Sequence, residues 1–514
     1  MQDRFDVAVV GLGPVGCLAT LLLAEAGLSV AVFEKDAEVY RLPRAVNLDG
    51  EIIRALQPIG LADAVNNLMQ KIRPGQRAGF ANSKREWLFG AASKPVGSNG
   101  WQSMNMFDQP ELEQFLRDTA LSYNNVAAWI GASVVQLDDR PSEVAISAER
   151  SGENIQVSAQ YVLACDGASS STRKALEIEW RDLGYNRDWL VVDVTVNDKH
   201  TLDNDVLQVC DPDRLHTYVP TKDPYRRWEF RLNAGETRDQ MLQEETIRTL
   251  IDPWTPRDSY QIRRAAVYQF HAATAAEWRS GRIFLAGDAA HQTPPFLGQG
   301  MNTGMRDVIN LAWKLPLVLE GTCKPELLNT YQLERDAHAH DLVAWAVALG
   351  RLMEFVAEQE DCERRGAPAP EPPSEIADSG YGQGREQPPI RKGVVVADQV
   401  TAEGTTGYLI TQPTVGHESQ PCRLDDLLGN GFALMGHNLQ QSSFSEESRR
   451  LIERLKITLL ELEEVQVLRG RLTEVPTGEV ALVRPDKILF GQTQGEFGVD
   501  QLLKDLADTL CVSP

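Results

Sequence analysis

The sequence predicts an α/β protein built on a doubly wound, Rossmann-like parallel sheet, and three segments carry that prediction. Each segment is an apolar stretch followed directly by glycine or aspartate. This pattern is typical of a buried parallel strand that ends in a turn at the carboxyl edge of its sheet. The stretches are residues 5–10 before Gly11, residues 161–165 before Asp166, and residues 283–286 before Gly287. Because ligands of such sheets bind at that edge, the three turns together predict one nucleotide-type site.

The first turn, Gly11-Leu-Gly-Pro-Val-Gly16, has the spacing of a dinucleotide fingerprint. An apolar helix over residues 17–26 and a second strand ending in Glu34 follow it, which is the context that the fingerprint requires. Its glycines permit a tight turn and a close approach of pyrophosphate, and the acid bonds ribose hydroxyls. The residues expected to contact the dinucleotide here are Gly11, Gly13, Pro14, Val15, Gly16, Glu34 and Lys35.

The third turn lies within the stretch 281–314, and the residues of that stretch indicate that the ligand is a flavin. Asp288 suits a ribityl or ribose hydroxyl, and the glycines after it let the backbone approach a planar ring. The N-terminus of the next helix favours partial negative charge on that ring. The contacts expected here are Asp288, Pro295, Gly298, Gly300, Met301 and Asn302. Between the first and third turns, Asp166 and Arg173 place a carboxylate and a cation at the end of a strand.

With these three motifs in this order, the chain resembles the single-component flavoprotein aromatic hydroxylases, the group typified by p-hydroxybenzoate hydroxylase, over roughly residues 1 to 350. It is most similar to the hydroxyphenylpropionate branch and its phenol and polyketide relatives, in particular over residues 227–237. Arg44 matches the family's arginine after the second strand, and Gln109 its flavin-contacting glutamine. The resemblance implies FAD as the cofactor.

The resemblance also implies a discontinuous domain organisation. The expected units are an FAD-binding domain (1–178 and 281–360), an inserted antiparallel substrate sheet (179–280), a linker or wrapping loop (361–393) and a small thioredoxin-like C-terminal α/β domain (394–514). Pro and Gly enrichment supports the linker. We expect the C-terminal domain to be redox-inactive, because Cys422 and Cys511 lie far apart and no CxxC accompanies them.

By the same resemblance, NADH or NADPH reduces the FAD, and dioxygen then forms a flavin C4a-hydroperoxide that hydroxylates a phenolic ring. No side chain is assigned as a catalytic acid or base, and the loop at Pro294 and Pro295 is expected to face the substrate. Because no second fingerprint exists, Arg44 and Asp166 are expected to serve both cofactors. Tyr218, Trp228 and Phe230 on the inserted sheet are candidates for the substrate pocket, with ordinary core packing as the alternative.

The substrate itself stays open at this stage. One candidate is a 3-(3-hydroxyphenyl)propionate-like acid, whose tail Arg226, Arg227 or Arg231 would bind. Strand alternation puts Arg227 and Arg231 opposite Trp228 and Phe230, which leaves neutral phenols and polycyclic polyketide phenols as candidates too. The same fold also serves flavin reductases, halogenases and non-enzymatic FAD proteins, and these three classes compete with the hydroxylase interpretation.

Composition narrows the remaining classes. A formal net charge of -22 over 514 residues argues against nucleic acid. Arg44, Arg173 and Arg306 are candidate local cations for an anionic ligand, with salt-bridged surface groups as the alternative. No apolar stretch is long enough to span a membrane, and the acidic N-terminus is unlike a signal peptide, so the cytoplasm is expected. We expect no metal: the seven cysteines show no CxxC, and His291 has no partner at ligand spacing and is expected to pack near the surface. A homodimer is left open.

Overall fold

The computed structural model describes residues 3–198, 200–374, 387–417, 420–437, 439, 444–475, 479–493 and 498–512. Its strands are β1 (Arg4–Val10), β2 (Val30–Glu34), β3 (Asn47–Leu48), β4 (Arg77–Asn82), β5 (Trp87–Ala92), β6 (Asn105–Met106), β7 (Val126–Ile130), β8 (Ser133–Asp139), β9 (Val144–Arg150), β10 (Glu153–Ala164), β11 (Trp180–Val196), β12 (Val206–Cys210), β13 (His216–Val219), β14 (Tyr225–Arg231), β15 (Tyr260–Ala275), β16 (Arg279–Ser280), β17 (Ile283–Leu285), β18 (His291–Gln292), β19 (Thr414–His417), β20 (Gln420–Arg423), β21 (Ala433–Gly436), β22 (Thr458–Glu461), β23 (Gln466–Arg469), β24 (Val480–Val483) and β25 (Leu489–Gln492).

The α-helices are α1 (Pro14–Glu25), α2 (Gly50–Ala55), α3 (Ala62–Leu68), α4 (Gln109–Leu121), α5 (Ser171–Ala175), α6 (Arg238–Met241), α7 (Glu244–Ile251), α8 (Gly300–Leu319), α9 (Thr330–Arg365), α10 (Leu424–Leu428), α11 (Glu446–Leu455) and α12 (Val499–Leu510).

The first sheet has the order β16-β17-β10-β1-β2-β7, and its pairs from β17 to β7 are parallel. β8 and β9 extend it as an antiparallel hairpin beside β10. Helices α1, α4 and α8 cover one face, and their apolar residues share one core with the strands. Because β17, β10 and β1 are neighbours, the turns after them meet at one edge of the sheet. The doubly wound α/β fold predicted from the three turns is thus confirmed.

The second sheet has the order β18-β15-β11-β14-β13-β12-β4-β5. Its centre is the long antiparallel pair of β11 and β15, with β14 on the other side of β11. Two of its strands, β4 and β5, come from residues 77–92, and β18 comes from residues 291–292, so the sheet extends beyond the predicted insert at 179–280. The division into domains by residue number therefore stays a prediction.

The C-terminal unit centres on a sheet of order β22-β21-β24-β25, in which β21 and β22 are parallel and the other pairs antiparallel. α11 connects the parallel pair and α12 follows β25 along the chain, an order and pairing that match a thioredoxin-like fold. A smaller sheet, β20-β19-β23, lies beside it. Of the linker expected at 361–393, residues 361–365 end α9, and residues 375–386 lie outside the described residues.

Buried ion pairs join the C-terminal unit to the FAD-domain helices. Arg54 on α2 makes two 2.7 Å bonds to the carboxylate of Asp425. Glu334 on α9 accepts a 2.8 Å bond from Arg484 and lies 3.0 Å from the amino group of Lys314. Burial alone would raise the pKa of Glu334, but these two cations lower it to about 2. Separating the two residues of such a pair would leave an uncompensated buried charge. The pairs therefore hold the C-terminal unit in a defined position.

Membrane-spanning helices and metal clusters are both absent from the described residues. No helix among them is long and apolar enough to cross a membrane. No group of three or more His, Cys, Asp or Glu side chains among them is arranged to hold a metal ion.

Candidate active site

The fingerprint turn between β1 and α1 contains three glycines with different roles. Gly11 has a φ of +95°, and a Cβ there would lie 2.5 Å from the carbonyl oxygen of Cys165. A Cβ on Gly16 would lie 1.9 Å from the carbonyl oxygen of Gly11. Gly13 has a φ of -72°, and a Cβ there would meet no atom within 4 Å. Gly11 and Gly16 are therefore needed for the packing of the chain itself, whereas the space beside Gly13 is open to a ligand.

Val15 connects this turn to the third motif. Pro14 begins α1, where its missing N–H costs no helical hydrogen bond. Val15 lies against Gly287, since a Cβ on that glycine would sit 3.2 Å from the valine side chain. Gly304 on α8 packs against the same glycine, where its Cβ would come within 2.6 Å. The first and third motifs are therefore in direct contact.

Glu34, at the end of β2, is buried and supports the fingerprint turn. Its carboxylate accepts hydrogen bonds from the backbone N–H of Leu12, at 2.6 Å, and of Asp36, at 2.8 Å. Arg117 lies 4.0 Å from it, while Lys35 is exposed. Beside this turn, a cavity of about 620 Å³ is lined by residues that include Val39, Arg41, Gln114 and Arg117. This cavity lies at the end of the site where the adenosine half of a dinucleotide is expected.

Gln109 holds the segment that carries Arg44. Its side-chain oxygen accepts 2.8 Å hydrogen bonds from the backbone N–H groups of Arg44 and Ala45. The guanidinium of Arg44 is exposed and lies over the ring of Tyr40, 4.7 Å from its centre. Gln109 thus positions the loop, and the Arg44 side chain is accessible to an anionic ligand.

Asp166 and Arg173 connect the middle motif to the third. One oxygen of Asp166 accepts a 3.0 Å bond from the backbone N–H of Thr172, and the other is buried without a hydrogen-bond partner in the described part of the chain. The guanidinium of Arg173 donates to the Ala289 carbonyl at 3.3 Å and stacks over Trp180. Arg173 is therefore engaged in the packing of the two loops rather than free for a ligand.

The loop at Asp288 is supported by a fully buried ion network. Asp307 on α8 accepts a 2.9 Å bond from the backbone N–H of Gly287, and its other oxygen pairs with Arg335. Burial opposes ionisation of Asp307, but His291 and Arg335 hold its pKa below the usual range. Asp288 is solvent-accessible although protein surrounds it, and this partial burial raises its pKa. The network thus fixes the backbone that presents Asp288 to the site.

His291 corrects one expectation from the sequence. It was expected near the surface, but its side chain is fully buried, with Nε2 2.8 Å from an oxygen of Asp307. Its ring also lies against Trp278, with ring centres 5.3 Å apart. The partner is sixteen residues away in sequence, on the following helix, so spacing did not reveal it. The role of His291 is to pair with the carboxylate that holds Gly287.

The loop after Pro294 turns tightly into α8. Pro295 begins a short 3-10 turn that ends at Gly298, whose φ of +64° favours glycine. A Cβ on Gly300 would meet nothing within 4 Å, and Met301 is half-buried. Asn302 is buried, accepts a 2.9 Å bond from the backbone N–H of Asp49 and donates to the Gly298 carbonyl. Asn302 therefore ties the loop to α2 through its side chain.

Arg306 and its ion pairs lie just behind this loop. Arg306 is buried and bonds the carboxylates of Asp49 and Glu51, at 2.5 and 2.7 Å. Its charge is therefore used within the protein. Of the two roles considered for Arg306, the ion-paired one agrees with the structure, although the pairs are buried rather than at the surface.

The three aromatic pocket candidates lie on the far face of the second sheet. Tyr218, Trp228 and Phe230 are 0 to 2% exposed and pack with Trp254 under α6 and α7. Arg227, which alternates with them along β14, points the other way, toward the FAD domain. The structure therefore places these aromatic residues in a core remote from the flavin loops, in line with ordinary packing.

The face of the sheet that meets the FAD domain carries polar residues. Arg227 forms two bonds to the carboxylate of Asp193, at 2.7 and 3.1 Å, and donates to the carbonyl oxygens of Pro43 and Arg44, at 2.8 and 2.7 Å. Arg264 also donates to the Pro43 carbonyl. A second connection runs from Gln208, whose amide donates at 3.3 Å to the carbonyl of Phe296 in the proline loop.

Sequence reasoning missed Asp193, Gln208 and Glu229 on this face. Asp193 interrupts the apolar run 190–194, and a lone acid in such a run is a signal for a buried partner. Glu229 lies between Arg227 and Arg231 on one side of β14 and is 6% exposed. Gln208 carries no local signal, because only the packing of the proline loop gives it a role.

The described residues fit FAD at three points. The open space beside Gly13 would admit a pyrophosphate. The buried oxygen of Asp166 that has no partner in the described part of the chain can accept a hydrogen bond from a ligand. The Asp288 side chain is accessible to a ligand. These features lie at the adjoining ends of β1, β10 and β17. A dinucleotide bound there would extend from the Glu34 turn toward the proline loop and the second sheet.

Comparison with known proteins supports this interpretation. Residues 4–346 match the model of a family described as FAD binding domain, and residues 407–509 match one described as HcaD C-terminal domain. The chain is 33% identical over 482 residues to 3-(3-hydroxy-phenyl)propionate/3-hydroxycinnamic acid hydroxylase 2 of Burkholderia vietnamiensis, covering 91% of this chain and 85% of the relative.

A second relative and a solved structure extend the comparison. A probable NADH-specific resorcinol 4-hydroxylase of Rhodococcus jostii is 29% identical, over 100% of this chain and 96% of the relative. Among solved structures, a complex of aklavinone-11 hydroxylase with FAD and aklavinone superposes with a TM-score of 0.80 at 23% identity, covering 99% of this chain and 100% of that one. At that identity the structural match is evidence of the shared fold.

Proposed function

The chain belongs to the FAD-binding-domain family of flavoprotein monooxygenases, and from that premise we propose that it hydroxylates the ring of an uncharged phenol with NAD(P)H and dioxygen. In the overall reaction, one oxygen atom enters the ring as a hydroxyl group and the other leaves as water, while NAD(P)H is oxidised. FAD, when bound, supplies the redox chemistry that protein side chains lack.

The observation that carries the proposal is the double connection between the FAD domain and the second sheet. Arg227 joins the sheet to the Pro43–Arg44 carbonyls, and Gln208 joins it to the Phe296 carbonyl of the proline loop. The flavin ring is proposed to lie at these two segments, so the sheet would cover it. Such a cover excludes water and holds an aromatic substrate against the ring, as oxygen transfer requires.

The proposed cofactor contacts are drawn from the residues that the sequence predicted, divided into those that contact FAD and those that hold the loops. We propose that Gly13, Asp288 and Asp166 contact the FAD directly, together with the N-terminus of α8 at Gly300 and Met301. Gln109 and Asn302 are proposed to act mainly by holding the loops, since their side chains bond backbone groups. Pro294 and Pro295 stiffen the loop beside the substrate.

Charge on the sheet favours an uncharged substrate over an acid. All three arginines considered for a carboxylate tail are engaged: Arg226 with Asp223, Arg227 with Asp193, and Arg231 with Glu354. Recruiting any of them for a substrate carboxylate would draw its charge away from the acid that it already pairs with. A resorcinol-like ring is therefore the better candidate. The names of the relatives at 33% identity support hydroxyphenylpropionate as the second candidate.

Arg44 is proposed to meet the nicotinamide cofactor. It is exposed and carried on a loop that Gln109 and Arg227 hold in place. A phosphate of NADH or NADPH could reach its guanidinium without disturbing that loop. We propose NADH as the preferred donor by analogy with the resorcinol relative, together with a cytoplasmic location.

An oxidation assay tests the proposed function. Purified holoenzyme is mixed with NADH or NADPH and with phenol, resorcinol or 3-(3-hydroxyphenyl)propionate in turn, and the product is identified by mass. We expect stimulated NAD(P)H consumption and a product that has gained one oxygen atom. Peroxide measured in parallel separates hydroxylation from uncoupled oxidation. Stimulation by none of a broad panel of phenols, in FAD-replete protein, would refute the proposal.

A further inference from the structure

Glu229 on β14 is a buried carboxylate with little to satisfy it. It is 6% exposed, and the nearest cation is the Arg227 guanidinium, 3.8 Å away. In the described part of the chain its carboxylate makes no hydrogen bond. A buried carboxylate normally accepts several hydrogen bonds, because desolvating its charge is otherwise costly. The Glu229 carboxylate is therefore available to accept a hydrogen bond from a ligand.

The two cations nearest to Glu229 are shared with a second acid, Asp193. Arg227 donates two hydrogen bonds to Asp193 on β11, at 2.7 and 3.1 Å, and Arg264 on β15 lies 3.4 Å from that same carboxylate. Burial raises the pKa of Glu229, Asp193 raises it further, and the two arginines lower it, with the balance above the usual range. The four side chains form two acids and two bases, so no net positive charge is left over for an anionic ligand.

Strand register places Glu229 in the middle of the covered face. It lies opposite Val191 of β11 and Thr217 of β13. The Thr217 hydroxyl donates at 2.6 Å to Gln208, whose amide in turn donates to the Phe296 carbonyl. On its other side, Arg227 bonds the Pro43 and Arg44 carbonyls. Glu229 thus lies between the two FAD-domain segments that flank the proposed ring position.

We propose that the Glu229 carboxylate accepts a hydrogen bond from the ring hydroxyl of the substrate and that its negative charge rejects substrates with a carboxylate tail. This inference rests on the proposed phenol hydroxylation. A hydrogen bond to a charged acceptor is among the strong ones, and it draws electron density into the phenol ring that is to be oxygenated. A second carboxylate in the same desolvated space would meet like charge.

The role of Glu229 can be tested without turnover by titrating ligands into the oxidised holoenzyme and measuring the change in flavin absorbance. We compare resorcinol with 3-(3-hydroxyphenyl)propionate on wild type and on Glu229→Gln, which keeps the shape and removes the charge. The control is Glu236→Gln, because Glu236 pairs with Arg214 in the turn after β14. We expect Glu229→Gln to weaken resorcinol about tenfold and to tighten the acid about tenfold, with Glu236→Gln unchanged.

The pH dependence separates this role from a structural one. In wild type, the affinity for resorcinol should fall as pH is lowered through the raised pKa of Glu229, because the protonated carboxyl is a poorer acceptor. Glu229→Gln should remove that dependence. If Glu229 serves only as a counter-ion of Arg227, the variant loses thermal stability or FAD but keeps the wild-type preference between the two ligands.

The outcomes distinguish this inference from the proposed function. An unchanged ratio of the two dissociation constants in folded, FAD-loaded Glu229→Gln would overturn the role of Glu229, whether or not the enzyme hydroxylates phenols. A changed ratio without any hydroxylated product in wild type would keep Glu229 as the ligand-selecting residue and refute the hydroxylation.

Discussion

Gly13→Val should weaken FAD binding more than about 100-fold while leaving the protein folded. The residue precedes α1 with a φ of -72° and a ψ of -174°, which valine adopts, and an added Cβ would meet no atom within 4 Å. The cost to the apoprotein is therefore the poorer helix cap, at most about 1 kcal/mol. Because valine would fill the space that the pyrophosphate needs, the phosphates would be pushed away from the helix N-terminus.

The expected loss of FAD affinity follows from the hydrogen bonds that the phosphates would lose. Hydrogen bonds from backbone N–H groups to a charged phosphate contribute about 1.5 to 3 kcal/mol each. Losing two of them would cost about 3 to 6 kcal/mol, which weakens FAD binding more than about 100-fold. The assay is titration of the apoprotein with FAD by calorimetry, with the flavin content of the purified protein and the melting temperature of the apoprotein measured alongside.

Two other glycines provide matched controls. Gly498 precedes α12 with a φ of -85°, and a Cβ there would meet none of the described residues within 4 Å. Gly498→Val therefore imposes the same cap change away from the site and should keep full FAD content. Gly16→Val should instead prevent folding, because its Cβ would lie 1.9 Å from the Gly11 carbonyl. Wild-type FAD affinity in Gly13→Val would show that the dinucleotide does not lie on this turn, and an unfolded Gly13→Val apoprotein would contradict the steric argument.

Three further changes test other parts of the site. Asp288→Ala should weaken FAD binding by on the order of 1 to 3 kcal/mol, since a flavin hydroxyl would lose its acceptor, and an unchanged dissociation constant would remove Asp288 from the site. Arg44→Ala should slow the reduction of bound FAD by NAD(P)H in stopped flow more than it weakens FAD binding; reduction at the wild-type rate would show that its role is structural. Cys422→Ser combined with Cys511→Ser should leave turnover within about twofold, because burial raises the pKa of the Cys422 thiol and disfavours its thiolate. A large fall in turnover of folded protein would indicate a redox role for these thiols.

The features that local sequence determines were predicted correctly. The doubly wound sheet follows from apolar strands that end in glycine or aspartate, and each signal lies within a few residues of the chain. The membership of the FAD-binding family follows from the same motifs and is confirmed. The direction of each side chain along β14 was also predictable, because alternation with a period of two is a property of the strand itself.

Tertiary structure alone decided which face of the inserted sheet meets the flavin domain. Alternation separates Trp228 from Arg227 but does not say which of them faces the FAD domain; in the structure Arg227 faces it, and Trp228 packs in the core on the other side of the sheet. The deciding contacts join β14 to Pro43 and join Gln208 to Phe296, pairs that lie far apart in the chain. Burial of a charge such as Glu229 depends on all the strands and loops around it, so its chemistry could be read only from the folded protein.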